Sequence, residues 1–260
     1  MIRRLCSSSP LVLAAVLLGL AVFGGAACRR AAPGDATAAA GASAPDTSAR
    51  YTTRTATDGG TGVVYFGREI AIPVSVHAAR WLERPEREAT ELPARVLDAL
   101  APDSAATACD VGAGTGYFTF RLAERLPQGR VVAQDVEGAM LGLIATRRDA
   151  LGLTARVDTV RGTSSTPNLA PASCDLVLLV DSYHEFRYPH EMMQGIVAAL
   201  RPGGRVALVE YRGEDPTLGI RPLHAMTRAQ VEREMAAVGL HLTAAPDVLP
   251  TQHLLVFTPR

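Results

Sequence analysis

The chain contains no lysine: its 26 non-histidine basic residues are all arginine, and 26 acidic residues balance them. With no net charge there is no long-range field to draw the protein to nucleic acid or to an acidic surface. A basic stripe interleaved with aromatics is also missing, so no nucleic-acid partner is expected. Aromatics make up only 5% of the chain, with Trp81 the single tryptophan. The four cysteines lack any Cys-x-x-Cys spacing, which argues against a metal site. No segment repeats. The missing lysines, beside abundant alanine, read as the coding bias of a GC-rich genome and carry no functional meaning.

What is present suits a globular protein. At 48% hydrophobic and 20% charged, 260 residues make one α/β domain with additions. The first fifty residues are of another kind. Arg3 and Arg4 precede an uncharged run from Cys6 to Ala27, apolar over 11–23 and ending in small residues before Cys28. A positive start, a short apolar core and a small-residue end make an export signal over 1–28. Its Gly25-Ala26-Ala27-Cys28 ending resembles a bacterial lipobox, with Gly25 where leucine is usual. That resemblance implies a lipidated Cys28 and a membrane-anchored lipoprotein of the cell envelope. An inner-membrane anchor with a cytoplasmic domain stays open, because residues 10–27 just reach the length of a span.

Residues 29–62 are rich in Ala, Gly, Ser, Thr and Pro, and are expected to form a disordered tether. Residues 63–100 are expected to form an N-terminal helical lid, and 101–260 the main domain. There, strand and helix alternate. Strands are expected at 106–111, 130–134, 157–160, 175–180 and 205–210, and helices at 90–100, 117–125, 137–151 and 189–200. Residues 175–180 are apolar without alternation, as in a strand buried on both faces. Thr227 and Gln230 form a capping box for a helix to 238, and 241–243 with 252–257 should pair as an antiparallel edge. Cys109 and Cys174 should fall at opposite ends of parallel strands, which favours buried free thiols over a disulfide. Such βα units build a parallel sheet whose ligands bind beyond the C-terminal strand ends.

Functional residues follow the strands. Cys109-Asp110-Val111-Gly112-Ala113-Gly114-Thr115-Gly116-Tyr117-Phe118 closes one strand and opens a helix. Glycines there permit a tight turn and close approach of a ligand. Asp135, at the tip of the next strand and 19 residues after Gly116, suits ribose hydroxyls. Tyr117 occupies the place of the third glycine of a dinucleotide fingerprint, which disfavours NAD.

Together with Val131-Val132-Ala133-Gln134-Asp135 and Leu200-Arg201-Pro202-Gly203-Gly204-Arg205, this segment resembles the class I S-adenosylmethionine-dependent methyltransferases. It is similar in particular to a bacterial branch related to the ubiquinone/menaquinone and small-molecule enzymes. The resemblance implies a Rossmann-like, doubly wound seven-stranded sheet of order 3-2-1-4-5-7-6, with strand 7 antiparallel. It implies S-adenosylmethionine as cofactor, with Asp110, Gly112 and Gly114 around the methionine part and Ala113 and Gly116 also binding the cofactor. Asp135 would take the ribose, and Val136 and Met140 the adenine edge. Many relatives read adenine with an Asp after the third strand; here Gly162 is followed by Thr163, whose hydroxyl or carbonyl would have to substitute.

Methyl transfer from a sulfonium is an in-line displacement that needs alignment above all. Asp181-Ser182-Tyr183-His184-Glu185 ends the fourth strand of the expected sheet. Asp181 and Tyr183 are candidates to stabilise the sulfonium, and His184 is the candidate base. Glu210-Tyr211-Arg212 and Arg221-Pro222-Leu223-His224 belong to a long polar stretch after the next strand, where function is often carried. The sequence thus reads as a methyltransferase acting on an unidentified small molecule. The alternative is an exported lipoprotein that keeps the fold as a ligand-binding module without turnover. Nothing in the sequence sets the oligomeric state.

Overall fold

The computed structural model describes residues 50–260. The export signal, Cys28 and the tether as far as residue 49 lie outside them. Among the described residues no helix is long and apolar enough to cross a membrane.

The first ordered elements are strands. Tyr51–Thr53 (β1), Gly60–Tyr65 (β2) and Arg68–Ala71 (β3) form an antiparallel sheet of order β1-β2-β3. Phe66 and Gly67, both left-handed at φ 48° and 89°, link β2 to β3, the backbone of a two-residue hairpin turn. Both the tether over 51–62 and the helical lid over 63–71 are therefore corrected. Small polar residues order here because they converge on one carboxylate. Glu69, 2% exposed, accepts from the Thr57 and Gly62 amides, Thr57 Oγ1 and the Arg54 guanidinium. Against the penalty of burial, these bonds hold its carboxyl down at about 2. Gly60 leaves the room: a Cβ there would stand 2.1 Å from Glu69 Oε1.

Two short helices, Ala79–Leu82 (α1) and Arg87–Thr90 (α2), lead to Pro93–Leu100 (α3). The main sheet then alternates with helices: Thr107–Val111 (β4), Tyr117–Arg125 (α4), Arg130–Asp135 (β5), Gly138–Ala150 (α5), Val157–Arg161 (β6), Cys174–Val180 (β7), Pro189–Ala199 (α6) and Leu200–Arg212 (β8). Ala225–Met226 (β9), Arg228–Ala236 (α7), Leu240–Ala244 (β10) and Gln252–Pro259 (β11) complete it. The strand order is β10-β11-β8-β7-β4-β5-β6, with β11 antiparallel to β8 and the short β9 beside it. This is the expected seven-strand order. Leu176 to Leu179 of β7 are at most 2% exposed, so apolar side chains feed core layers on both faces. Thr227 accepts from the Gln230 amide and caps α7 as its sequence indicated.

The cysteines depart from expectation. Cys109 and Cys174 form a disulfide, their Cα atoms 5.9 Å apart. The register of β7 is irregular between Cys174 and Leu176, and both cysteines belong to the same core layer as Val111 and Leu179. The two side chains thus meet within one core layer between adjacent parallel strands.

Candidate active site

A cavity of about 710 Å³ opens beyond the C-terminal ends of β4, β5 and β7, the position favoured for ligands in such sheets. Its first half is the glycine turn. Gly112, Gly114 and Gly116 are all left-handed, at φ 72°, 54° and 85°. A Cβ on Gly112 would stand 2.5 Å from Ser182 Cβ, so this turn and the end of β7 meet only with glycine present. The Gly112 and Ala113 amides donate to Gln134 O, each at 2.9 Å. Asp135 ties the turn to β5: Oδ2 accepts from the Gly114 amide at 2.9 Å and Oδ1 from the Glu137 amide at 2.8 Å. Asp110 accepts from Thr119 Oγ1 at 2.6 Å, yet burial pushes its carboxyl up to about 6.

The second half follows β7. Asp181 adopts φ 47°, unusual for a residue with a side chain, and this kind of strain clusters at functional sites. Both of its carboxylate oxygens accept from Gln252 Nε2, at 2.9 and 2.8 Å. Burial, and then Glu210, push it up to about 8. The next residues form a 3₁₀ turn, Tyr183–Glu185, whose side chains diverge. His184 is 2% exposed, with Nδ1 2.6 Å from Glu210 Oε2 and Nε2 3.0 Å from His224 Nδ1. Against burial, Glu210 raises its pKa to about 8. Burial, and then the charge of His184, lower His224 to about 4. Glu185 makes no pair with Arg187; it accepts from the Val74 amide at 3.1 Å, and burial pushes it up to about 7.

The N-terminal sheet braces this half. Arg68 of β3 donates to both carboxylate oxygens of Glu234, at 2.8 and 3.0 Å, and to His184 O at 3.1 Å. After it, Ala78, Trp81, Leu82 and Arg84 line the cavity, so part of the expected lid does flank the site. Trp81 is 52% exposed with Arg84 stacked on it, at the cavity rim rather than in the core.

Residues 109–206 match a family model described as a methyltransferase domain. An uncharacterised methyltransferase of Mycobacterium bovis is 36% identical over 134 residues, 52% of this chain and 51% of that protein. A ubiquinone/menaquinone biosynthesis C-methyltransferase of Dinoroseobacter shibae is 29% identical over 116 residues, 45% of this chain and 46% of the relative. The chain spans about half the length of the curated relatives it matches. A SAM-dependent methyltransferase from Aquifex aeolicus superposes with a TM-score of 0.66 at 19% identity, covering 71% of this chain and 98% of that one. The fold is that of a methyltransferase.

S-adenosylmethionine is the cofactor this fold takes, and the residues fit it. The left-handed glycine turn borders the cavity, acidic tips end β4 and β5, and Met140 with Val136 offer an apolar wall. The cavity brings together Asp110, Gly112, Ala113, Gly114, Asp135, Val136, Met140, Thr163, Asp181 and His184. It leaves out two expected residues. Gly116 turns the chain into α4, its hydrogen facing Phe120 and Ile144 rather than the cavity. Tyr183 is fully buried and donates to Glu234 Oε2 at 2.7 Å, facing the N-terminal sheet because the 3₁₀ turn points it away from His184. Thr163 reaches the cavity, but its Oγ1 accepts from the Ser165 and Thr166 amides and so caps its own turn. Glu210 and His224 were legible only as parts of a polar stretch. Their approach to His184 depends on β8 lying beside β7.

Proposed function

We propose that this domain transfers a methyl group from S-adenosylmethionine to a small-molecule acceptor held at the His184 end of the cavity. The observation that carries the reading is continuity: one space runs from the glycine turn and Asp135 to Asp181 and His184. Bound there, S-adenosylmethionine supplies a methyl group on a sulfonium, already activated for displacement. The chain's part is placement, which contributes up to roughly 7–11 kcal/mol in well-oriented reactions. Asp110 and the backbone of Gly112–Gly114 hold the methionine part, Asp135 the ribose, and Val136 and Met140 the adenine. Asp181, once ionised, attracts the cationic sulfonium. His184, its Nδ1 fixed on Glu210, takes a proton from an acceptor O–H or N–H in its neutral form, above its pKa of about 8, with the acceptor replacing His224 at Nε2.

We infer that the domain works at the cell envelope, anchored by the N-terminal signal. The Cys109–Cys174 disulfide supports an oxidising compartment, where such bonds form and persist. Calorimetric titration of the full chain in detergent with S-adenosylmethionine and S-adenosylhomocysteine tests the reading. Micromolar binding by the wild type, weakened at least tenfold by Asp135→Ala, is expected. A folded wild type that binds neither compound would overturn it.

A further inference from the structure

His184 and His224 are distant in sequence, yet they meet Glu185 on one wall of the cavity. Nε2 of His184 and Nδ1 of His224 lie 3.0 Å apart, and Glu185 Oε1 lies 3.8 and 3.7 Å from them. A point equidistant from the three atoms is about 2 Å from each, the length of zinc bonds to imidazole nitrogen and carboxylate oxygen.

The surroundings are arranged as for ligands. Nδ1 of His184 sits on Glu210 Oε2 at 2.6 Å, the carboxylate–histidine pairing that orients metal-bound imidazoles and raises their basicity. Glu185 is fixed through Oε2 by the Val74 amide, leaving Oε1 toward the histidines. That Oε1 is buried and has no hydrogen-bond partner. A buried, unpartnered carboxylate oxygen costs free energy that a cation would recover. Two imidazoles and one carboxylate suit zinc and neighbouring late divalent metals better than magnesium or calcium.

We propose that His184, Glu185 and His224 bind one divalent ion of the zinc type, with a further coordination position open to the cavity. Binding stands on these side chains alone; its use rests on the methyl-transfer reading. On that reading the acceptor is a small hydroxyl or thiol compound whose oxygen or sulfur coordinates the ion. Coordination lowers its pKa and releases its proton to solvent. The freed electron pair forms the bond to the methyl carbon as the carbon–sulfonium bond breaks, leaving S-adenosylhomocysteine. In the loaded protein His184 is a ligand rather than the base, and Glu210 is a positioning residue that holds its ring.

The test uses the full chain in detergent, stripped with chelator and titrated with zinc chloride and then cobalt chloride. S-adenosylhomocysteine binding is measured on the same samples. One ion per chain is expected, with visible cobalt absorption bands of a site that includes imidazole. Glu185→Gln and His224→Ala should each weaken zinc at least tenfold, and Glu210→Gln about tenfold, while S-adenosylhomocysteine affinity changes less than about twofold. Sub-stoichiometric binding by the wild type, or binding equal in both ligand variants, overturns the site and leaves a histidine–histidine hydrogen bond in its place. Zinc binding without S-adenosylhomocysteine binding would keep the metal site and remove the methyl-transfer reading.

Discussion

Gln252 on the antiparallel strand β11 donates through one nitrogen to both carboxylate oxygens of Asp181, at 2.9 and 2.8 Å. A residue near the end of the chain thereby holds an acid at the mouth of β7 in a left-handed conformation, φ 47°. Burial and the nearby Glu210 push Asp181 up to about 8, which favours its protonated form in the free protein.

The bound sulfonium should reverse that preference. A cation favours the ionised carboxyl, which is roughly one in a hundred of molecules at pH 6 and half of them at pH 8. S-adenosylmethionine affinity should therefore rise about tenfold or more between pH 6 and pH 8.5, and level off above. S-adenosylhomocysteine, with a neutral sulfur, should show little of this slope. Calorimetry with both compounds at the two pH values reads the difference, and Asp181→Asn should flatten it. Equal slopes for the two compounds would remove Asp181 from the sulfonium.

Glu69 makes the N-terminal sheet dependent on pH through a carboxyl shifted the opposite way. Its folded-state pKa, about 2, lies below the ordinary carboxylate value. Its contribution is fully present above pH 4.5 and is lost as pH falls from there toward 2. Amide exchange at Gly62 and Thr57, which both donate to Glu69, should accelerate through that window before the main sheet opens. At neutral pH, Glu69→Gln should raise tryptic cleavage after Arg54 about tenfold. A wild-type cleavage rate in the variant would show that another contact orders residues 51–71.

The Cys109–Cys174 bond closes a loop with a sequence separation of 65. Loop-closure entropy assigns such a crosslink about 4 kcal/mol, of which native proteins deliver typically 2–4. Reduction of the protein should lower its melting temperature by roughly 5–10 °C. Peptide mapping of the non-reduced protein should recover the two cysteines linked. Two free thiols in protein purified from the envelope would contradict both the crosslink and the placement in an oxidising compartment.

The sheet was legible because its signals are local. Leu176 to Leu179 read as a doubly buried strand, Thr227 and Gln230 as a helix cap, and the three glycines after β4 as a turn that needs left-handed backbone. Each leaves its mark in a short stretch of chain, so periodicity and turn chemistry suffice to read it. Asp110, Asp135 and Asp181 could be placed for the same reason: each lies at the end of a recognisable strand, and in this topology strand ends converge.

Other features were decided by the tertiary structure. The ordering of residues 51–71 comes from polar groups gathered around the buried Glu69, a source of order that a hydrophobicity argument does not register. Tyr183 faces the N-terminal sheet and His184 the cavity because a 3₁₀ turn, not a continued strand, follows Asp181. The disulfide depends on β4 and β7 lying side by side, and the His184–Glu210–His224 group on β8 packing beside β7. Local sequence determined which elements form, since periodicity, caps and turn residues act over a few positions. Which side chains share a site was decided by contacts between residues tens of positions apart, and those exist only once the sheet has assembled.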